Sequence, residues 1–192
     1  MDRAGPLRGQ GEELIQESKL AKDAEIISFH GRQVCLRPLE AQDRPLLEDL
    51  AGRTELGDLR MRFFSGFHTL PPDVLDQLML IDPQRRMTLV ASSTASHGKP
   101  EILAVARAHL VSESSAELAL LVRSDLKGMG LGSLMLDRLI AVCRSRGIAL
   151  LVADVLHENT RMLRLAERYG FRQETAQLGT TRLVLDLDLR AA

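Results

Sequence analysis

Three glycines at alternate positions, Gly128, Gly130 and Gly132, constrain the fold of this chain more than any other feature. Before them, Ala116–Val122 has the composition of a strand, and after them Leu131–Arg146 repeats apolar residues at helical spacing. Glycine lets the backbone adopt positive φ and approach a ligand closely. Successive N–H groups and the helix N-terminus then predict a phosphate site, with a plain flexible connection as the alternative.

Two widespread phosphate-binding motifs do not fit this turn. The nucleotide-binding loop ends in Gly-Lys followed by Ser or Thr, and no such sequence follows these glycines. The dinucleotide motif G-x-G-x-x-G needs a glycine at position 133 or 135, which are Ser133 and Met135. The segments around the turn must therefore identify its ligand.

The remaining pattern alternates strands and helices, which predicts one mixed α/β (α+β) domain. Further strands are predicted at Val34–Pro38, Met87–Ser92, Ile102–Leu110, Ile148–Val155 and Thr181–Leu189, and helices at 41–52, from Pro71 onward and at Asn159–Tyr169. The nearly continuous apolar run 148–155 predicts a strand covered on both faces. Residues 1–30 are polar and are interpreted as a tail or docking helix that precedes a domain at 31–192.

Composition excludes several classes of protein. The 192 residues have a formal net charge of −1, so no overall field attracts nucleic acid or a membrane surface. The apolar runs are too short to cross a bilayer, and no secretory signal is present. Two cysteines cannot build a disulfide framework, and the five histidines lack metal-ligand spacing. We therefore expect a cytoplasmic protein without a metal.

A family resemblance becomes visible at the glycine turn. Lys127–Gly132 resembles the acyl-CoA pyrophosphate loop of the GCN5-related N-acetyltransferases (GNAT), [QR]-x-x-G-x-[GA], with Lys127 in place of Gln or Arg. The likeness continues in the family's order at Gly147-Ile148, Val155–Asn159, Met162 and Tyr169–Phe171. It implies the GNAT acyl-CoA N-acyltransferase fold, a mixed and mostly antiparallel sheet flanked by helices, with acetyl-CoA as co-substrate.

Within that family the chain most resembles the bacterial protein-lysine acetyltransferases that act on acyl-CoA synthetases. The matching segments are Arg37-Pro38, Asp43, Arg60–Phe64, Ile81-Asp82 and Ala116-Glu117, so the likeness covers roughly residues 31–189. It implies acetylation of a lysine side chain, with a protein of the acyl-CoA synthetase class as partner. Two alternatives remain: acetylation of a small amine or amino acid, and a CoA-binding sensor without turnover.

Glu117 is the candidate catalytic residue. It is the one carboxylate within the strand 116–122, and it shares a face of that strand with Ala119 and Leu121. An unpaired carboxylate on a covered strand is costly, so it is exposed, paired or functional. The resemblance implies a general base for direct acetyl transfer, and we expect a half-buried side chain. An ordinary charge at the solvent-exposed end of the strand is the alternative.

The resemblance also implies the residues that bind the cofactor. Backbone groups of Leu120, Leu121 and Val122 would pair with the pantetheine arm, and the backbone of Lys127, Gly128, Met129, Gly130, Leu131, Gly132 and Ser133 would hold the pyrophosphate. Asn159 is either a helix N-cap or a contact to CoA, and Arg168 either meets a CoA phosphate or is solvated.

No general acid is assigned from the sequence. Many family members have a tyrosine four residues before the Gly-Phe pair, whereas this chain has Ala166 there. Tyr169 lies too late for that role and is expected to pack in the core. Phe63, Phe64 and Phe67 beside two arginines indicate either a docking surface for a substrate protein or a loop tucked against the core.

Overall fold

The computed structural model describes residues 24–67, 69–94, 98–175 and 179–188. Its strands are β1 Glu25–Phe29, β2 Arg32–Pro38, β3 Arg86–Thr94, β4 Pro100–Leu110, β5 Ser115–Val122, β6 Leu150–Leu156, β7 Arg172–Thr175 and β8 Thr180–Asp186. Its helices are α1 Arg44–Gly52, α2 Leu56–Phe63, α3 Pro72–Met79, α4 Leu131–Ser145 and α5 Thr160–Arg168. Each strand and helix predicted from the sequence has a counterpart here. The predicted strand Thr181–Leu189 ends at Asp186, and Leu189 lies outside the described residues.

The strands form one sheet in the order β1-β2-β3-β4-β5-β6-β8-β7. Neighbouring strands are antiparallel except β5 and β6, which run parallel. That parallel pairing joins only Ser115–Glu117 to Leu150–Val152. After residues 117 and 152 the two strands diverge, and the sheet opens at its centre.

The two faces of the sheet carry separate clusters of buried residues. α4 and α5 cover one face, where Leu131, Met135 and Leu139 are fully buried against the strands. α1, α2 and α3 cover the other face around Leu50 and Leu59. Because side chains alternate along a strand, residues 117, 119 and 121 of β5 point toward the α1–α3 side.

β6 corrects one expectation. Its residues alternate between buried and half-buried, with Leu151, Ala153 and Val155 inside, so the strand is not covered equally on both faces. The less covered face lies beside the opening in the sheet. The apolar run 148–155 therefore predicted a strand inside the sheet correctly, but it did not predict that one face of the strand is only half-buried.

The sheet begins before the predicted domain boundary. β1 pairs with β2 along its whole length, although Glu25–Phe29 falls within the stretch assigned to a tail. Residues 1–23 lie outside the described residues, so a tail or docking helix there stays a prediction.

Asp43 joins β2 to α1. It is the N-cap residue of α1, but its side chain makes no capping hydrogen bond. Its carboxylate instead accepts two hydrogen bonds from the Arg37 guanidinium, at 2.7 and 2.8 Å, and one from the Glu40 N–H. Burial raises the pKa of Asp43, but these hydrogen bonds outweigh it and hold the pKa below its usual value.

Candidate active site

The opening between β5 and β6 forms a cavity of about 570 Å³. It is lined by residues 117–122 of β5, 153–155 of β6, the glycine turn, the exposed face of α5 and one side of α2. That volume is within the range for a small-molecule site. The unpaired edges of the two strands also leave backbone N–H and C=O groups available to an extended ligand.

The glycine turn lies at one end of this cavity. Gly128 and Gly130 have φ values of 78° and 95°, which residues with a Cβ rarely adopt. Gly130 is the N-cap of α4 and supplies no side chain, so no side-chain cap occupies the first N–H groups of that 15-residue helix. The helix N-terminus therefore faces the cavity as a site for an anion.

The structure brings most of the sequence-predicted site residues to this cavity. Its lining includes Glu117, Leu120, Leu121, Val122, Lys127, Gly128, Gly130, Gly132, Ser133, Asn159 and Arg168. The side chains of two predicted residues lie elsewhere: Leu131 is fully buried in the core, and Met129 is exposed, with its carbonyl oxygen 3.0 Å from His30 Nε2.

A buried ionic cluster holds the end of β5 in front of the turn. Arg123 is 2% exposed, and its guanidinium donates to Glu101 at 2.7 Å and to Asp125 at 2.6 Å. Arg53 donates to the same Glu101 carboxylate at 2.6 Å. Burial raises the pKa of Glu101, but the two arginines outweigh it and hold the pKa below its usual value. The pKa of Asp125 is also lowered, chiefly by the hydrogen bond from Arg123.

Lys127 links the turn to α2 through an ion pair with Asp58. Asp58 also accepts a hydrogen bond from the Ser124 hydroxyl at 2.5 Å, and that hydroxyl accepts one from the Glu55 N–H at 2.9 Å. Burial raises the pKa of Asp58, but its hydrogen bonds to Lys127 and Ser124 bring it below its usual value. The Lys127 side chain therefore already has a carboxylate partner, and the predicted contact of its backbone with the cofactor stays a prediction.

α5 contributes more basic side chains than the sequence analysis identified. Asn159 caps the helix, because its Oδ1 accepts the Met162 N–H at 3.1 Å, while the same residue lines the cavity. Arg168 also lines it and donates to the Ser133 hydroxyl at 3.1 Å. Arg161 and Arg164 line the cavity as well and were missed. Arg161 and Arg164 lie seven and four residues before Arg168, which places all three on one face of the helix. That spacing could have identified them from the sequence.

Tyr169, at the C-terminal end of α5, links that helix to α4 by hydrogen bonds. Its hydroxyl donates to Asp137 at 2.8 Å or to the Ser133 carbonyl at 3.0 Å, and its ring packs against the core. Burial, helped by the charge of Asp137, raises the pKa of Tyr169 to about 12. It does not line the described cavity, in agreement with the packing role expected for it.

Glu117 lies where the paired part of β5 ends, and its side chain faces the cavity from the α2 side. It is exposed, so the expectation of a half-buried side chain was wrong. The diverging strands uncover it, and that divergence is not encoded in the residues of β5 alone. In the described parts of the chain, Glu117 has no hydrogen bond or ion pair.

Two other kinds of feature are absent from the described stretches. They contain no cluster of three or more metal-ligating side chains. None of their helices combines the length and the apolar character that a membrane span requires.

Comparison with known proteins agrees with this architecture. Residues 53–171 match the model of the Acetyltransferase (GNAT) family, so the chain belongs to that family and is an acetyltransferase. The family uses acetyl-CoA as its co-substrate. A Pseudomonas aeruginosa protein named as an acetyltransferase is 30% identical over 141 residues, covering 73% of this chain and 76% of that protein.

Solved structures show the same fold. The GNAT domain of Streptomyces lividans PAT has a TM-score of 0.76 at 25% identity, covering 85% of this chain and 96% of that domain. YncA, described as a putative acetyltransferase from Salmonella typhimurium and solved with acetyl-CoA, has a TM-score of 0.64 at 19% identity. That match covers 83% of this chain and 96% of YncA.

Proposed function

We propose that this acetyltransferase transfers the acetyl group of acetyl-CoA to a lysine side chain of a cytoplasmic protein, such as an acyl-CoA synthetase. The observation that carries the proposal is the position of Glu117, a carboxylate on β5 that lines the cavity and forms no hydrogen bond or ion pair with any residue the structure describes. The resemblance to the lysine acetyltransferases supports the choice of acceptor, and so does the similarity to the GNAT domain of S. lividans PAT.

The chemistry requires a neutral amine. The lysine ammonium has a pKa of about 10.4, so forming the free amine at pH 7 costs about 4.6 kcal/mol. A carboxylate at the acceptor end of the cavity lowers that cost when it takes the proton, directly or through a water molecule. Glu117 is the proposed acceptor of that proton, and its exposure leaves a path by which the proton reaches solvent.

Acetyl-CoA supplies the activated acyl group as a thioester. The residues present fit it: the uncapped N-terminus of α4 and the N–H groups of the glycine turn suit a diphosphate. Arg161, Arg164 and Arg168 add positive charge on the facing helix. We assign the pantetheine arm to the unpaired edge of residues 120–122, and a backbone N–H near Leu121 to the acyl carbonyl oxygen.

A second candidate acceptor is a free amino acid or another small amine. Arg62 lines the same cavity as Glu117 and adds a positive charge to a site that must receive an amine. That charge is a poor fit for a simple cationic lysine and a better one for an acceptor that carries a negative group.

The test is the Glu117→Gln variant, which keeps the size of the side chain but cannot accept a proton. We expect turnover to fall by about 100-fold or more, while acetyl-CoA binding measured by calorimetry stays as in the wild type. Acceptors are found by incubation with acetyl-CoA and candidate proteins or small amines, followed by mass spectrometry. Glu48→Gln, an exposed glutamate on α1, is the matched control.

Undiminished turnover in Glu117→Gln would remove this residue from the mechanism. Acetylation of small amines with no lysine product in any protein would replace the proposed acceptor but leave the base in place.

A further inference from the structure

Away from the arginines of α5, the charged side chains of the cavity fall into two groups. Asp58 and Lys127 pair with each other, and Asp154 accepts a hydrogen bond at 2.7 Å from an arginine of β8. Arg62 and Glu117 line the same cavity, yet within the described stretches neither forms an ion pair or a hydrogen bond, even with the other. One cavity therefore holds two opposite charges with free hydrogen-bonding groups.

Arg62 is the second-last residue of α2, and its side chain is half-buried. Its guanidinium carbon lies 4.7 Å from the centroid of the Phe63 ring. Burial lowers the pKa of Arg62 to about 10, and the charge of Glu117 partly offsets that effect. The side chain is therefore still a cation at neutral pH, held in a site that solvates it poorly.

The neighbouring Arg107, in contrast to Arg62, has a structural role because its guanidinium is hydrogen-bonded to other parts of the chain. Both arginines line a small adjoining cavity under α2. Arg107 donates to the Gln77 carbonyl at 2.9 Å and to the Thr88 hydroxyl at 3.0 Å, so it fixes the end of α3. Arg62 donates no hydrogen bond to any residue in the described ranges, so its N–H groups are available to a ligand.

Burying a cation is costly, and the charge of Glu117 offsets only part of that cost at Arg62. An anionic ligand that hydrogen-bonds to the guanidinium offsets more of it. A carboxylate matches a guanidinium best, because the two groups form paired charge-assisted hydrogen bonds. Arg62 reaches the cavity from α2 and Glu117 from β5, so a ligand between them meets a positive and a negative group. That arrangement suits a molecule that carries both an amine and a carboxylate.

We propose that Arg62 binds a carboxylate of the acceptor while Glu117 faces its amine. The inference builds on the proposed acetyl transfer and narrows its substrate class to amines with a carboxylate close by. That group is either the α-carboxylate of a free amino acid or an acidic residue beside the target lysine in a protein. Arg62 is then a specificity-determining residue of the acceptor site.

The test uses acceptors in pairs that differ only in one charge. One pair is a blocked lysine peptide with Glu or Gln next to the lysine, and the other is a free amino acid and its amide. For each pair the ratio of kcat/KM, acid over amide, is measured by thiol release at saturating acetyl-CoA. We expect a ratio of about 10 or more in at least one pair for the wild type.

In Arg62→Gln that ratio should fall to about one, and Arg62→Lys should give an intermediate value because lysine keeps the charge but lacks the planar fork. Arg60→Gln is the matched control: it removes the same charge from the same helix, but Arg60 pairs with Glu158 at 2.5 Å and does not line the cavity. Its ratio should match the wild type.

A wild-type ratio near one in both pairs would overturn the inference. An equal loss of kcat/KM for the acid and the amide in Arg62→Gln would also overturn it, because that pattern indicates a structural role for Arg62. A preference seen only with the free amino acid keeps Arg62 in this role and rejects the protein acceptor. A preference seen only with the peptide keeps Arg62 in this role and rejects the free amino acid. If no acceptor turns over, equal calorimetric binding of acid and amide to the CoA complex also overturns it.

Discussion

At the scale of single residues, several side chains have two roles at once: they line the cavity and they hold neighbouring elements in place. Asn159 caps α5 and lines the cavity, so the two roles left open by the sequence are compatible. Arg168 lines the cavity while bound to the Ser133 hydroxyl. The backbone carbonyl of Ser133 in turn accepts a hydrogen bond from the Tyr169 hydroxyl. The start of α4 is thus positioned by α5, which places the anion site and the basic helix in a fixed relation.

Tyr169→Phe tests that coupling. The variant keeps the packed ring but removes the hydroxyl that donates to Asp137 and Ser133. We expect the free energy of unfolding, measured by urea denaturation at pH 7, to fall by about 1 kcal/mol. Unchanged stability would show that solvent replaces these hydrogen bonds without loss and that α5 does not position α4 through them.

The sequence identified most of the site but not its charge balance. Glu117 and the glycine turn stand out because a lone carboxylate in a strand and alternating glycines are locally unusual. Arg62 does not stand out, because nothing in the sequence shows that it donates no hydrogen bond within the described part of the chain while Arg107 donates several. Pairing is set by contacts between distant segments, which a single sequence does not display.

At the scale of elements, the turn and α4 work as one unit. The φ value of 95° at Gly130 sets the direction in which the helix begins and keeps its first N–H groups uncapped. Gly132 lies two residues after Gly130. A Cβ added there would be 3.6 Å from the Leu120 side chain, which is an ordinary contact distance. The backbone conformation therefore requires glycine at position 130 but not at position 132.

Gly130→Ala and Gly132→Ala form a matched pair of variants. The first forces a Cβ into a left-handed conformation, and we expect it to lose about 1–2 kcal/mol of stability and to bind acetyl-CoA more weakly. The second fits the available space, and we expect stability at or above that of the wild type with binding retained. Urea denaturation and calorimetry measure both, and equal behaviour of the two variants would contradict the assignment.

The elements missed from the sequence have weak local signals. β1 and β7 are short, and β7 consists of the polar residues Arg172–Thr175. α2 begins Leu-Gly-Asp and is buried through one residue, Leu59, so its periodicity is faint. These segments take their structure from the sheet edge or the cavity wall on which they lie, and tertiary contacts override their weak propensities.

At the scale of the whole molecule, a buried ionic cluster ties the two layers of helices to the sheet. Glu101 on β4 joins Arg53, which follows α1, to Arg123, which precedes the glycine turn. The carboxyl group has a lowered pKa in the folded state, so its contribution to stability is present above its unfolded pKa of about 4.3. That contribution is lost as the pH falls through the lower folded value.

Glu101→Gln should therefore show a pH-dependent loss of stability. At pH 7 we expect the free energy of unfolding to drop by about 3 kcal/mol, because Arg53 and Arg123, and Arg32 at 3.7 Å, lose the charge of a buried partner. The difference from the wild type should shrink as the pH falls below about 4, where the wild-type carboxylate also becomes protonated. Urea denaturation between pH 3 and pH 7, at roughly unit intervals, measures it. A difference independent of pH would contradict an ionised Glu101.

The central claim is that the glycine turn and the N-terminus of α4, at one end of the opening in the sheet, bind the CoA diphosphate. Calorimetric titration of wild-type protein with CoA and, separately, with pantetheine tests this most directly, because pantetheine keeps the arm and the thiol but lacks the diphosphate and nucleotide. We predict that CoA binds at least about 100-fold more tightly. Equal affinity for the two ligands, or no heat with CoA, would contradict the assignment of the glycine turn and α4 as the phosphate site.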